Sequence, residues 1–189
     1  MEKIKPLIIS LLLIHALLIE AQDKSFVIKG LISGRLTLSP SLSFSNNNSA
    51  FYLHGNLEHY VSENISLVGE GYYYLGELSS AENIFSFNHS LFFGASKHFT
   101  KGKNDWYIGF QPGLSFTKLN NVYTLSPTQI GANPLASFVT GYNFYMGSIF
   151  HYFVQARYVA GSHHYDVYKG LSELRLSAGL GFNLWANKK

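Results

Sequence analysis

The chain has 189 residues, with 14 Lys+Arg against 11 Asp+Glu and no cysteine. That length suits one domain. The net charge of +3 is spread without the clustered basic stripe that nucleic-acid binding shows, and neither a disulfide nor a cysteine-linked lipid anchor can form. Charged residues make up 13% of the chain, against about 25% in an ordinary soluble domain, and aromatics reach 16%. This balance suits a protein whose outer face is not water.

Residues 1–22 have the layout of a secretory signal peptide. A mildly basic start (Met1-Glu2-Lys3-Ile4-Lys5) leads into an apolar run from Pro6 to Ile19, broken only by Ser10 and His15, and then Glu20-Ala21-Gln22. The run falls short of the roughly 20 apolar residues of a spanning helix. Residues 23–189 are then the folded domain, and they contain no further long apolar stretch.

Eight segments follow in which polar and apolar residues alternate, the period that sends side chains to opposite faces of a strand. The first is Phe26 to Leu38, with Phe26, Ile28, Ile32, Leu36 and Leu38 against Lys29, Ser33, Arg35 and Thr37. The second, Phe51 to Val61, sets Phe51, Leu53, Leu57 and Val61 against Tyr52, His54, Asn56, Glu58 and Tyr60. In the third, Ile65 to Leu75, Leu67, Gly69, Gly71 and Tyr73 oppose Ser66, Glu70, Tyr72 and Tyr74. The fourth, Phe87 to Phe99, opposes Leu91, Phe93 and Ala95 to Asn88, Ser90, Gly94 and Ser96. The fifth, Trp106 to Phe116, opposes Trp106, Ile108, Phe110 and Leu114 to Tyr107, Gly109, Gln111, Gly113 and Ser115, with Pro112 predicting a bulge or local distortion. The sixth, Leu135 to Tyr145, sets Ala136, Phe138, Tyr142 and Phe144 against Ser137, Gly141 and Asn143. The seventh, Phe150 to Ala160, sets Phe150, Tyr152, Val154, Ala156 and Tyr158 against His151, Gln155 and Arg157. The last has the clearest beat: Leu174, Leu176, Ala178, Leu180, Phe182 and Leu184 alternate with Glu173, Arg175, Ser177, Gly179, Gly181 and Asn183.

Each segment is about 11 residues, the length of a tilted membrane-crossing strand. Connectors alternate too. Ser62 to Asn64, Thr100 to Asp105 and Met146 to Ser148 are short, whereas Ser39 to Ala50, Gly76 to Ser86, Thr117 to Pro134 and Gly161 to Gly170 are long. Short turns on one rim and long loops on the other are the pattern of an outer-membrane barrel. The predicted fold is an eight-stranded antiparallel transmembrane up-and-down β-barrel, oily outside and polar within, with both termini in the periplasm. Strands in lipid must pair every backbone group, so the sheet has to close. A soluble lipocalin-type barrel shares the same period; the low charge and the Tyr/Phe-heavy apolar faces argue against it.

With the signal segment, the strand–turn–strand unit Glu58 to Gly71 and the closing strand Leu174 to Trp185, residues 24–185 resemble the small eight-stranded bacterial outer-membrane barrels, the OmpX-like and OmpW-like proteins. Family members often end on an aromatic residue, whereas Ala186-Asn187-Lys188-Lys189 follow Trp185 here. The resemblance implies a monomer in outer-membrane lipid, inserted by the barrel-assembly machinery. It implies a membrane-integrity scaffold or a surface-loop module meeting an extracellular partner, with loop Thr117 to Pro134 foremost. A narrow conduit for small apolar molecules, or an outer-leaflet lipid A-modifying enzyme, are the alternatives.

Inward parity selects Arg35, Glu58, Glu70, Arg157, Glu173 and Arg175, an equal tally that predicts a structural ion network filling the lumen. Arg157 and Glu173 fall at similar heights on neighbouring strands. Tyr60, Phe99, Trp106, Tyr145 and Trp185 sit at short-turn strand ends and read as an interfacial aromatic girdle. His163, His164 and Asp166 lie in the last long loop with His151 on the inward parity below it; a metal site needs convergent ligands, and adjacent loop histidines are expected to be solvated, so no metal is assigned. Ser162, His163 or His164 and Glu173 are the residue types of a serine–histidine–carboxylate site, but adjacent Ser162 and His163 point to opposite faces and Glu173 is better explained as an interior ion partner, so no catalytic triad is assigned and the chain reads as non-enzymatic, without a cofactor. The Asn47, Asn64 and Asn88 sequons carry no glycan in this setting.

Overall fold

The computed structural model describes residues 25–45, 48–78, 83–121, 129–165 and 167–185. The proposed signal peptide, Asp166 and the middle of the longest loop lie outside the described residues. Among the described residues nine strands occur in chain order: β1 Leu31–Ser43, β2 Ser49–Tyr60, β3 Ile65–Glu77, β4 Phe85–Lys101, β5 Asn104–Leu119, β6 Gly131–Tyr145, β7 Phe150–His163, β8 Lys169–Gly170 and β9 Glu173–Trp185. The two-residue β8 folds back on the end of β7 (Ser162↔Gly170, His163↔Lys169). The other strands each pair antiparallel with their chain neighbours. β9 then pairs with both β7 and β1, so the sheet closes on itself.

The period-2 pattern sets which side faces in. Arg157 and Arg175 are 0% and 1% exposed, whereas Phe93 and Phe138 are 67% and 63% exposed. A barrel in water would reverse these figures. Buried charge and bared aromatic surface are stable together only when the outer medium is apolar.

The strands run past the alternating segments. β1 reaches Ser43 and β2 starts at Ser49, so both ends of the expected first long loop are strand. β1 begins at Leu31, so Phe26 and Ile28 do not stand on its outer face as the parity suggested. Instead residues 25–30 fold across the short-turn mouth, where Val27 and Leu31 are buried with Tyr60 and Tyr145 and Phe26 stacks on the Tyr145 ring at 5.9 Å. Gly30 makes the corner with φ 88°, a conformation that only glycine adopts freely, and its N–H bonds Tyr60 O at 2.8 Å. Apolar surface with no lipid to face is buried under the mouth, and this overrides the alternation.

Pro112 produces no bulge. The β4–β5 register is unchanged across it, but the ladder lapses between Phe92↔Gly113 and Ala95↔Phe110, because proline has no N–H to give. Register shifts fall at Phe51/Tyr52 and Phe85/Phe87 instead. Gly94 lies opposite the lapse; a Cβ there would stand 2.5 Å from Phe110 O and 2.9 Å from Gln111 Cα.

Candidate functional site in the barrel interior

Closure brings the inward residues of all eight long strands into one space about a side chain deep. Three tiers of bonded polar groups cross it.

The tier nearest the short turns centres on Glu58. Its Oε2 accepts from Arg35 Nη2 at 2.7 Å, and its Oε1 accepts from Ser66 Oγ at 2.6 Å and His98 Nε2 at 3.1 Å. His98 Nδ1 meets Asp105 at 3.0 Å, and Asp105 also accepts from Asn143 Nδ2 at 2.9 Å. The hydroxyl of Ser66 is committed to Glu58, so it can only accept from His98 Nε2 at 2.9 Å. Both ring nitrogens of His98 therefore donate, which requires an imidazolium. His151 is the opposite case. Its Nε2 accepts from Arg35 Nε at 3.3 Å while its Nδ1 donates to Asn183 Oδ1 at 2.8 Å, so this network assigns it as neutral.

The middle tier centres on Glu70, which accepts from Arg157 Nη2 (2.6 Å), His54 Nε2 (2.9 Å), Gln155 Nε2 (3.0 Å), Gln111 Nε2 (3.2 Å) and Tyr72 OH (3.3 Å). Arg157 spends its remaining donors on Ser137 Oγ (2.6 Å), Gln111 Oε1 (2.9 Å) and Tyr72 OH (3.2 Å), with its guanidinium 4.5 Å above the Phe92 ring. In the third tier Arg175 binds Glu173 Oε1 at 2.5 Å and Ser90 Oγ at 2.7 Å, and it lies between the Tyr52 and Tyr72 rings at 4.2 and 4.4 Å. Tyr52 OH donates to Glu173 at 3.1 Å. Above this tier an apolar cluster including Ile84, Phe85, Leu119, Leu135, Val159 and Leu171 fills the long-loop end. A cavity of about 30 Å³ between them, lined by Ser41, Tyr52, Tyr74 and Glu173 among others, has room for about two waters.

All six charged residues selected by parity are thus buried. Their partnering differs from the sequence expectation. Arg157 faces Arg175, not Glu173, across β7–β9 (Arg157↔Arg175, Val159↔Glu173), and its carboxylate partner is Glu70 on the far side of the lumen. The equal tally is also incomplete. Asp105 is a fourth buried carboxylate, and His98 supplies the matching fourth cation. Both carry the inward parity; Asp105 was hidden in a presumed turn and His98 in a strand end.

Tyr60 and Tyr145 are not part of an outer girdle. They are 0% and 1% exposed, and their hydroxyls meet each other at 3.3 Å inside the short-turn mouth. Their strand parity pointed inward, and parity prevails because a side chain at a strand end cannot change face without a bulge. Phe99 and Trp106 do face outward, and Trp106 packs on Tyr142 at 4.7 Å. The side chain of Trp185 lies outside the described residues.

Among the described residues no group of three His, Cys, Asp or Glu could hold a metal ion. His163 is buried with Nδ1 2.8 Å from Thr117 Oγ1. His164 is outside, with Nε2 2.7 Å from Ser162 Oγ. Glu173 is held inside by Arg175, so the structure does not bring it to that serine.

No protein-family model and no curated protein sequence matches the chain. Solved structures do. Neisserial surface protein A superposes with a TM-score of 0.65 at 14% identity, covering 82% of this chain and 98% of that one. OprG from Pseudomonas aeruginosa gives 0.62 at 8% identity, covering 88% and 100%. Ail, the attachment invasion locus protein of Yersinia pestis, in complex with the heparin analogue sucrose octasulfate, gives 0.57 at 12%, covering 83% and 100%. At these identities the likeness is one of fold. The chain is an eight-stranded antiparallel β-barrel of the outer-membrane type.

Proposed function

We propose that this protein is an outer-membrane barrel whose lumen is plugged, and that it works as a membrane-integrity scaffold presenting its long loops to an extracellular partner. Both termini then lie in the periplasm, and the role is non-catalytic. The observation that carries this reading is the set of three bonded tiers crossing the lumen, from Arg35–Glu58 through Arg157–Glu70 to Arg175–Glu173. At the long-loop rim Phe44, Leu78, Ile130, Tyr165 and Tyr168 are exposed, a set of anchors suited to binding a partner.

Single-channel recording in planar bilayers tests the plug. The purified barrel is expected to give no conductance steps. Steady ion-selective steps would overturn the closed-lumen reading.

One feature favours a narrow apolar conduit as the second reading. Pairing of β3 with β4 stops at Tyr72↔Ser90, and beyond it the side chain of His89 takes the Tyr74 N–H at 3.0 Å. The outer apolar cluster lies behind this gap. Proteoliposomes that equilibrate a small apolar dye faster than protein-free liposomes would select it.

A further inference from the structure

The outer face of the barrel is not uniformly smooth. A groove of about 770 Å³ crosses it, bounded by two rows of outward residues that the strand registers define. One row is Lys97, Ile108, Thr140 and Ala156; the next is Ala95, Phe110, Phe138, Tyr158 and Leu174. Small side chains at Ala95, Thr140 and Ala156 make the floor. Exposed Ile108, Phe110 and Phe138 make the walls, with the two Phe rings 5.1 Å apart. The Thr140 hydroxyl is bonded to Tyr107 O at 3.1 Å, which leaves its methyl for the groove. The groove starts at Ile65, the first residue of β3 at the short-turn end, and reaches Leu174, the second residue of β9 at the long-loop end. It therefore runs obliquely across the whole apolar band.

Lys97 is the one charged side chain among its lining residues. An outward lysine is costly at the depth of the hydrocarbon and tolerated near the headgroups, so its stem must carry the ammonium toward the short-turn rim. Lys101 ends β4 and Lys103 lies in the turn of the same hairpin, and the Trp106–Tyr142 pair stands beside it, the amphipathic rings that settle at headgroup depth. A second furrow, about 840 Å³ and floored by Gly55, Gly69 and Gly71, has no outward charge among its lining residues, since Glu70 there points into the lumen. Of these two grooves, the first combines an apolar trough with a cation that can reach headgroup depth.

We propose that this groove is a binding site for one anionic phospholipid, with an acyl chain along the trough and the phosphate against Lys97, supported by Lys101 and Lys103. Zwitterionic lipid fits the trough equally well but lacks the net charge that these lysines favour.

Native mass spectrometry of the intact barrel in mild detergent tests the site, using phosphatidylglycerol and phosphatidylcholine with identical acyl chains. The parent is expected to retain phosphatidylglycerol preferentially. Lys97→Gln should cut that retention about fivefold, while Lys118→Gln, on an outward lysine near the long-loop end, should leave it unchanged. Ala156→Phe or Thr140→Phe, which fill the trough, should lower retention of both lipids; heat-modifiable gel mobility confirms that each variant is folded. Equal retention of the two lipids by the parent, no effect of Lys97→Gln, an equal effect of Lys118→Gln, or full binding by folded trough-filled variants would each overturn the proposal.

Discussion

Replacing Arg157 by Met removes the guanidinium while keeping a stem that fills similar space. The variant loses the 2.6 Å pair with Glu70 and the bonds to Ser137, Gln111 and Tyr72. Removing one partner of a buried ion pair costs about 3–5 kcal/mol. Two local features place this case at the low end. Glu70 keeps His54, Gln155, Gln111 and Tyr72 as donors, so its carboxylate is not left bare. Arg175, the Cα partner of Arg157, is also relieved of a like-charged neighbour. The expected loss is about 3 kcal/mol. It is read from urea unfolding out of lipid vesicles, followed by tryptophan emission and gel mobility. Glu70→Gln alone should also destabilise, but Glu70→Gln with Arg157→Met should fall short of the sum by about 2 kcal/mol, since neither charge is then orphaned. A single Arg157→Met variant within about 0.5 kcal/mol of the parent, or a cycle additive to about 0.5 kcal/mol, would refute the claim that this pair is an energetic unit.

The same urea assay checks two further expectations. His98→Gln leaves three arginines against four buried carboxylates and should cost about 2–3 kcal/mol, most of it recovered by adding Asp105→Asn; no recovery would mean that His98 is not the fourth cation. Gly94→Ala drives a Cβ into the backbone of Phe110 and Gln111 and should cost about 1–3 kcal/mol. Gly69→Ala meets nothing nearer than Phe93 Cδ2 at 3.6 Å and should stay within about 0.5 kcal/mol. Equal effects at the two glycines would show that the interior is less tightly packed than these distances imply.

Alternation gave the strand count and sorted the side chains into two faces, because a strand side chain has two directions to choose from and a one-residue slip reverses all of them; the low charge and the aromatic-rich apolar faces decided which face is inward, and the alternating short and long connectors gave the antiparallel order. Parity then placed Arg35, Glu58, Glu70, Arg157, Glu173 and Arg175 inside. It would also have placed Tyr60 and Tyr145 there, had the preference of tyrosine for interfaces not been given more weight than position. What alternation cannot carry is distance across the barrel. Arg157 meets Glu70, not Glu173, because strand stagger and closure decide which heights face one another across the lumen, and these are properties of the whole cylinder. The turn-end position of Asp105 and the pairing of His98 with it depend on hairpin register. The fold of residues 25–30 under the mouth depends on an apolar surface that exists only once β2 and β6 bring Tyr60 and Tyr145 together. The identity of the inward residues is a local fact written in a period of two. Their partners, and the groove on the opposite face, are consequences of bending the sheet until its first and last strands meet.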